Sequence, residues 1–339
     1  MPAVNIIDAG PFTTVQDEGR YGFQRYGMAP AGAMDEVAYR LGNLILGNNQ
    51  GEASLEFTLK GPRIKLLQDT TLVITGGRCA ITVNGTSGYN IYEPLSLKSG
   101  DEVDIGWITE GARGYLAFRG GLDIPMVMQS YSTYLRGKIG GFEGARLKGG
   151  EILAISEPQG SPGRALPENL WPAYRTPFET DVIMGPQANY FTEEGINTFL
   201  SETYQISDAA DRMGYRLTGP EIIHVDKADI ISDGIPLGAI QVPGHRQPII
   251  LMKDRQTTGG YPKIATVASY EIFRLGQAKP GDQLLFKKVS LKEAKAKREL
   301  HKKWYDELAS FILKPEQKSK HFRLTVNDKS YNVSIREID

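Results

Sequence analysis

The sequence is poor in cysteine and has no long apolar run. Cys79 is the only cysteine among 339 residues, so the chain cannot form an internal disulfide, and a reducing compartment suits it best. No apolar stretch approaches the roughly 20 residues that span a bilayer. The first residues also lack the basic and apolar regions of a signal peptide. We therefore expect a soluble protein of the cytoplasm.

The sequence also lacks a strong charge of either sign. Its 39 basic and 40 acidic residues give a formal net charge of −1, which offers no reason to expect nucleic acid or an acidic membrane as partner. The four histidines are scattered without ligand spacing, and one cysteine cannot make a zinc site, so we expect no metal. The length predicts about two domains.

Several nucleotide and hydrolase motifs are missing. The nearest approach to a Walker A loop, at Gly137-Lys138, has Ser132 at the first glycine position and Ile139 where Ser or Thr would bind magnesium. There is no Gly-x-Gly-x-x-Gly fingerprint after a strand and no Gly-x-Ser-x-Gly elbow. If ATP is used, we expect it on a surface without a known motif or on another subunit.

The first half of the chain reads as short strands divided by turns. Residues 53–59 alternate between apolar and polar, residues 71–75 form an apolar strand, and Asn84-Gly85 is a strong hairpin signal. Strands at this spacing predict a β-barrel or sandwich. One helix is predicted over residues 34–46, with Gly47 as its C-terminal stop.

The second half contains a further strand-rich unit, a helix and a hairpin. Helices are predicted at 188–200 and 269–275, and Ser290 with Glu293 forms a capping box that opens a C-terminal helix. Leu300, Trp304, Leu308 and Phe311 are predicted to form its apolar stripe. We assign the regions as follows: 1–160 first strand-rich domain, 161–180 proline-rich connection, 181–288 second strand-rich domain, 289–313 C-terminal helix, and 314–339 linker with a terminal β-hairpin around Asn327-Asp328.

The segment from Asp254 to Lys263 carries the densest chemistry of the chain. It places an acid, two cations, an amide, two hydroxyls and a paired glycine in ten residues, one residue after the apolar strand 248–252. A turn that serves only folding needs little more than Gly, Pro, Asn or Asp. We predict a binding or catalytic loop, as loops on rigid elements often are. The alternative is a structural loop in which Arg and Thr cap the backbone.

Two other clusters carry candidate site residues, each with a plain structural alternative. Asp17 and Arg20 lie in the segment 13–20 and, three residues apart, can also form a local salt bridge. Arg212 can hold a carboxylate in a bidentate manner or pair with a neighbouring aspartate. His245 has the chemistry of a general base, but a single loop histidine more often serves as a hydrogen-bonding residue.

Taken together, these segments resemble one family. The matching stretches occur in the expected order: residues 13–20, 32–35, 55–56, 61–62, 120–125, 211–217, 240–243 and 256–262. The chain resembles the KipA/PxpC family over residues 4–310, also called allophanate hydrolase subunit 2 or biotin-dependent carboxyltransferase-like proteins.

The resemblance implies a mainly β fold (a β-rich α+β chain with few helices) built from two cyclophilin-like β-barrel domains. It also implies a small KipI/PxpB-like partner subunit, a PxpA-like lactam-binding subunit and a role in ATP-dependent 5-oxoprolinase, which opens 5-oxo-L-proline to L-glutamate. Two alternatives remain open. One is the carboxyltransferase subunit of a biotin-dependent urea or amide carboxylase. The other is a KipA-like regulator that binds a KipI-type kinase inhibitor and has no chemistry of its own.

The sequence departs from the family pattern in three places. Gln129 and Arg246 stand where the family usually has glycine, and Ala145 precedes an arginine that usually follows Gly144 directly. Glycine tolerates positive φ and arginine does not, so we expect Arg246 to alter the backbone of its loop and to add a cation beside the proposed site.

The polar loop and the resemblance lead to a hypothesis for the site. We expect Arg255, Arg212 and Lys263 to clamp a substrate carboxylate, and Asp254 or Asp17 to accept a proton. The Thr257 and Thr258 hydroxyls and the backbone of Gly259-Gly260 would stabilise an oxyanion. The remaining expected substrate-binding residues are Gln256, Tyr261, Arg20 and Gln241.

Overall fold

The computed structural model describes residues 2–314, together with the backbone strands 320–326 and 329–335. Two strand-rich units are followed by a long helix and a two-stranded hairpin. The mainly β fold with few helices is therefore confirmed. No helix in the described part of the chain is both long enough and apolar enough to cross a membrane.

The first unit is a branched antiparallel sheet of nine strands. Its strand order is β2-β3-β8-β4-β1-β9, with β5 paired to β8 and with β6 and β7 paired to β5. We expected a barrel in this unit, but its sheet makes half a barrel. Its elements are β1 (Pro2–Asp8), β2 (Phe12–Gln16), α1 (Glu36–Leu46), β3 (Ser54–Thr58), β4 (Arg63–Leu66), β5 (Thr70–Val83), β6 (Thr86–Tyr89), β7 (Leu95–Leu97), β8 (Glu102–Phe118) and β9 (Ile152–Ala154).

The helix predicted over residues 34–46 is observed as α1 (Glu36–Leu46), two residues shorter at its start and with Gly47 as its stop, as predicted. The Asp35 carboxylate accepts from the N–H groups of Val37 and Ala38 at 3.1 and 3.0 Å, which caps the helix start. Gly47 takes φ of 69° and closes the C-terminus. The predicted hairpin is also confirmed, because Asn84 and Gly85 adopt φ of 50° and 77° between β5 and β6.

The second unit is a closed seven-stranded barrel that carries a separate sheet of two short strands. Its strand order is β10-β17-β14-β15-β12-β11-β18, and the parallel pair of β10 and β18 closes it. The predicted helices at 188–200 and 269–275 each begin as a 3-10 turn before α2 and α3. Its elements are β10 (Phe178–Met184), α2 (Glu193–Ser201), β11 (Thr203–Ile206), β12 (Gly214–Thr218), β13 (Asp233–Gly234), β14 (Ala239–Gln241), β15 (Ile249–Leu251), β16 (Thr258–Gly259), β17 (Lys263–Val267), α3 (Ile272–Leu275) and β18 (Gln283–Lys288).

The C-terminal helix α4 (Leu291–Leu313) packs against α1 and against the start of the barrel. The capping box of Ser290 and Glu293 is confirmed. The predicted apolar stripe is wrong at Leu300, which is 67% exposed, whereas Leu308 and Ile312 are buried. Strands β19 (Lys320–Val326) and β20 (Lys329–Ile335) pair antiparallel as predicted, while the expected turn at 327–328 lies outside the described residues.

Candidate functional site

Loops of the two units meet at the end of β15. The Arg20 N–H donates to the Pro30 carbonyl at 2.7 Å, and the Ala33 N–H donates to the Asp17 carbonyl at 2.8 Å. The Ala31 N–H in turn donates to the Lys253 carbonyl at 3.2 Å. The first-unit loops are thereby fixed against the residues just before Asp254. Two of the three sequence clusters are therefore neighbours in space.

Arg212 joins the two units through a buried ionic network. Its Nε and Nη2 donate to the two carboxylate oxygens of Asp254 at 3.1 and 3.0 Å. Nη1 donates to Glu56 of the first unit, and Nη2 also donates to the Gly32 carbonyl at 2.7 Å. Burial opposes the charge of Arg212, but Asp254 and Glu56 outweigh burial and raise its pKa. The expected substrate clamp at Arg212 is thus a structural bridge, because the protein itself occupies its guanidinium.

Glu56 completes this network, although no candidate role was assigned to it from the sequence. It lies on β3, is 1% exposed, and accepts from the Met34 N–H at 2.8 Å and the Tyr115 hydroxyl at 2.7 Å besides Arg212. A second buried cation, Arg113, has its Nε 3.9 Å from Glu56 and donates to the Tyr215 hydroxyl at 2.8 Å. The available signal was an acidic residue inside an apolar strand, since buried charges are almost always paired.

Asp254 is held rigidly at the edge of a pocket. It is 8% exposed, and burial raises the pKa of its carboxyl despite the opposing effect of Arg212. The pocket has a volume of about 390 Å³ and lies between the two units, with Phe12 and Leu135 on one side and Met213 on the other. An oriented carboxylate of raised pKa is suited to accept a proton from a small ligand.

Larger cavities lie elsewhere but hold no buried ion pair. One of about 540 Å³ adjoins the edge strand β9, and another of about 580 Å³ lies near Asp69 and Lys98, whose ion pair is exposed. We place the candidate site at the smaller pocket because buried charges of fixed geometry line it. In the described residues, no group of three or more His, Cys, Asp or Glu side chains could hold a metal ion.

Asp17 has a structural role in place of the expected proton-acceptor role. Its carboxylate accepts from the Gly19 N–H at 2.8 Å, the Ser130 hydroxyl at 2.7 Å and the Tyr131 N–H at 2.6 Å, and also from the Ser132 hydroxyl. These donors use its lone pairs and tie the loop 17–20 to the segment 130–132.

Arg20 is fully buried beside these residues and does not reach the surface. Its Nη2 donates to the Ser132 carbonyl, whereas Nε and Nη1 have no hydrogen-bond partner in the described protein. Burial lowers the pKa of the guanidinium, and the charges of Asp17 and Asp254 oppose that shift. A direct contact between Arg20 and substrate, expected from the sequence, is not supported by this placement.

The two expected cations of the polar loop also bind inside the protein. Arg255 Nε donates to the Ile235 carbonyl at 3.1 Å and Nη1 to the Met252 carbonyl at 3.2 Å, and burial lowers its pKa. Lys263 Nζ lies 2.7 Å from the Asp233 carboxylate and 3.2 Å from the Gly234 carbonyl. Neither cation is free to clamp a substrate carboxylate in this arrangement.

The remaining loop residues form a second polar surface next to Arg255. Thr258 and Gly259 pair with the strand β13. Part of the backbone that we expected to stabilise an oxyanion is therefore used in strand pairing. The Thr257 and Gly260 carbonyls accept from the N–H groups of Ile235 and Ile230 at 3.0 and 2.8 Å. The other predicted binding residues differ in whether the protein already occupies their polar groups. Gln241 donates to the Tyr261 carbonyl at 3.1 Å, whereas the Tyr261 side chain is 41% exposed. The buried Gln256 Oε1 has no hydrogen-bond partner in the described protein.

His245 is exposed, and its Nδ1 accepts from the Gln247 N–H at 3.2 Å. This contact agrees with a hydrogen-bonding loop histidine, which was the alternative to a general base. Arg246 adopts φ of 61° and Gln129 adopts φ of 59°. Both non-glycine residues therefore occupy the left-handed region that the family pattern assigns to glycine.

Comparison with known proteins gives one consistent family. The family described as "Carboxyltransferase domain, subdomain A and B" matches residues 26–288. The chain is 35% identical over 308 residues to a 5-oxoprolinase subunit of Escherichia coli, covering 90% of this chain and 97% of that protein. It is 33% identical over 320 residues to urea amidolyase of Saccharomyces cerevisiae, covering 88% of this chain but 17% of that protein.

A solved structure extends the similarity along the chain. The Kluyveromyces lactis urea amidolyase superposes with a TM-score of 0.85 at 30% identity, covering 99% of this chain. The chain spans 22% of that protein, or about a fifth of its length.

Proposed function

The chain belongs to the carboxyltransferase-domain family matched by residues 26–288, and on that basis we propose that it is a subunit of an ATP-dependent 5-oxoprolinase. The proposal rests on its similarity to the E. coli 5-oxoprolinase subunit, which extends over 97% of that protein. The proposed reaction opens 5-oxo-L-proline to L-glutamate. The proposed partners are a KipI/PxpB-like small subunit and a PxpA-like subunit.

The proposed chemistry begins from the stability of the lactam amide. Resonance protects it from water, so ATP would transfer its γ-phosphoryl group to the lactam oxygen and leave as ADP. One water molecule would then add to the lactam carbon, the C–N bond would break, and a second water molecule would release inorganic phosphate and L-glutamate. We place ATP on a partner subunit, because the sequence contains no Walker A loop. Within this chain, Asp254 is the proposed proton acceptor, since burial raises its pKa and Arg212 fixes its orientation.

The test is glutamate release from 5-oxo-L-proline, with and without ATP, by this chain alone and by the complex with both partner subunits. We expect ATP-dependent release only in the full mixture. Asp254→Asn should lower the rate about 100-fold or more, as expected for loss of a general base. Asp208→Asn is the matched control, because Asp208 is an exposed acid outside the pocket. An Asp254→Asn complex as active as wild type would refute the role of Asp254.

A second candidate function is carboxyl transfer in a biotin-dependent urea or amide carboxylase. The observation that favours it is the structural match to urea amidolyase over 99% of the chain, which reaches into the terminal hairpin of β19 and β20. Bicarbonate-dependent activity on urea that avidin blocks would support this function. Glutamate release that is insensitive to avidin would count against it. A stable partner complex that turns over neither substrate would instead favour a regulatory binding protein.

A further inference from the structure

We propose that the pocket beside Asp254 binds a small lactam that bears a single carboxylate, and that Arg136 pairs with that carboxylate. The inference rests on the proposed function and deepens it, because it assigns a specificity residue that the sequence did not indicate. It gives this chain its own contact with the lactam, in addition to the contact expected from the PxpA-like subunit. It concerns the pocket of about 390 Å³ between the two units.

The pocket has the size and lining of a small-molecule site. Its volume lies within the range of about 300–1,000 Å³ typical of such sites. Phe12, Leu135 and Met213 supply apolar walls, while Asp254 and Arg136 supply opposite charges in the same lining. Ligand sites commonly combine mostly apolar walls with a few polar groups that fix orientation. A five-membered lactam ring fits the apolar part of this description.

To bind a ligand carboxylate, the pocket requires a cation that is not already paired with a carboxylate of the protein. Arg212, which also lines it, is bound to Glu56, Asp254 and the Gly32 carbonyl. Arg136 differs, because within the described chain no carboxylate lies within 4.0 Å of its guanidinium. Its Nη1 instead lies 3.4 Å from the sulfur of Met213, and a thioether is a weak acceptor. The exposed guanidinium therefore retains most of its donors for an incoming anion.

The opposite charges of Arg136 and Asp254 define the orientation in which the proposed ligand would bind. An arginine can hold a carboxylate by two parallel hydrogen bonds, which orients the molecule as well as attracting it. With its carboxylate on Arg136, the lactam would extend along the apolar walls towards Asp254. Asp211 lines the same pocket, but its Oδ1 is held by the N–H groups of Met213 and Gly214 at 2.8 and 3.0 Å. That remaining negative charge disfavours ligands with a second carboxylate.

The test compares Arg136→Gln with Arg298→Gln, which removes an exposed arginine on α4, away from the pocket. In the reconstituted complex, we expect Arg136→Gln to raise KM for 5-oxo-L-proline about 10-fold or more, with a much smaller change in kcat. Arg136→Lys should restore part of the affinity, because it keeps the charge but loses the two-pronged geometry. Arg298→Gln should behave as wild type.

Direct binding separates this inference from the proposed function. Saturation-transfer NMR on the full chain would use 5-oxo-L-proline and 2-pyrrolidinone, which is the same lactam without the carboxylate. We expect the wild-type chain to prefer 5-oxo-L-proline and Arg136→Gln to lose that preference. If the complex releases no glutamate but this preference holds, the proposed function fails and the carboxylate site stands. Unchanged KM or unchanged preference in Arg136→Gln overturns the inference.

Discussion

Replacing Arg212 with methionine tests the buried network that joins the two units. The substitution keeps an unbranched, apolar stem but removes the cation. It leaves Asp254 without its two hydrogen bonds of 3.1 and 3.0 Å and leaves Glu56 without its contact with Arg212. The two carboxylates are 8% and 1% exposed, so water cannot readily replace the lost donors.

The magnitude follows from this burial. Breaking a buried ion pair by removing one partner typically costs about 3–5 kcal/mol, because an uncompensated charge remains inside. Here one cation serves two carboxylates, which raises the cost. Glu56 still keeps the Met34 N–H and the Tyr115 hydroxyl, which lowers it. We therefore expect a loss of about 3–5 kcal/mol in the free energy of unfolding at neutral pH.

The loss should depend on pH with a defined sign. Burial raises the folded-state pKa of Asp254, and Arg212 is the main group that opposes the shift. Without Arg212, that pKa rises further above the unfolded value. A carboxyl with a raised folded pKa stabilises the fold at low pH and loses this contribution as pH rises through the folded pKa. The deficit of Arg212→Met should therefore be larger at pH 8 than at pH 5.5.

The assay is urea unfolding followed by circular dichroism at pH 5.5 and pH 8. Arg216→Met is the matched control: it lies on β12, the strand that directly follows the Arg212 loop, is exposed, and donates only weakly to the Ala209 carbonyl at 3.3 Å. We expect the control to change stability by less than about 0.5 kcal/mol. A deficit for Arg212→Met below about 1 kcal/mol, or one that is equal at both pH values, would refute this account of the network.

Three further predictions use the same unfolding assay. Burial raises the pKa of the Asp35 carboxyl to about 6, so wild-type stability should fall between pH 4.5 and 6.5 through this group, and Asp35→Asn should flatten that dependence; an unchanged slope would contradict it. Gly140→Ala should cost about 2 kcal/mol or more, because its Cβ would lie 2.1 Å from the Ser132 carbonyl oxygen, whereas Gly22→Ala, with nothing within 4 Å, should cost about 1 kcal/mol; equal losses would show that the close approach is relaxed. Gln129→Gly and Arg246→Gly should each stabilise the chain by about 0.5–1 kcal/mol, since φ of 59° and 61° strains both residues, and a loss of stability would show that their side-chain contacts outweigh the strain.

Local features were predictable because their causes lie within a few residues. Gly47 ends α1, and Ser290 with Glu293 opens α4, as the sequence predicted. The predicted apolar stripe on α4 was wrong at Leu300, because burial there depends on residues far away in the sequence. Helical spacing shows which residues share a face of the helix. How much of that face is covered by α1 and the barrel depends on how the units pack.

The sequence indicated which side chains could form the candidate site, but not which of them are already paired within the protein. The polar loop does contain Asp254, and the segment 17–20 does lie beside it. However, Arg212, Arg255 and Lys263 are bound within the protein, and Arg136, the cation that we propose for the ligand carboxylate, belongs to no motif. Residue type tells which groups can bind an anion, but only the fold tells which of them already have a partner.

The sequence by itself determined the class of fold, the C-terminal stop of α1, the start of α4, the hairpin turn and the family to which the chain belongs. The tertiary structure decided the pairing of charges. Glu56 and Arg212 are 156 residues apart in the chain, and their contact forms only when the half-barrel docks on the closed barrel. Buried charges must find partners wherever the packing places them, so long-range geometry decides which polar residues hold the fold together and which face a ligand.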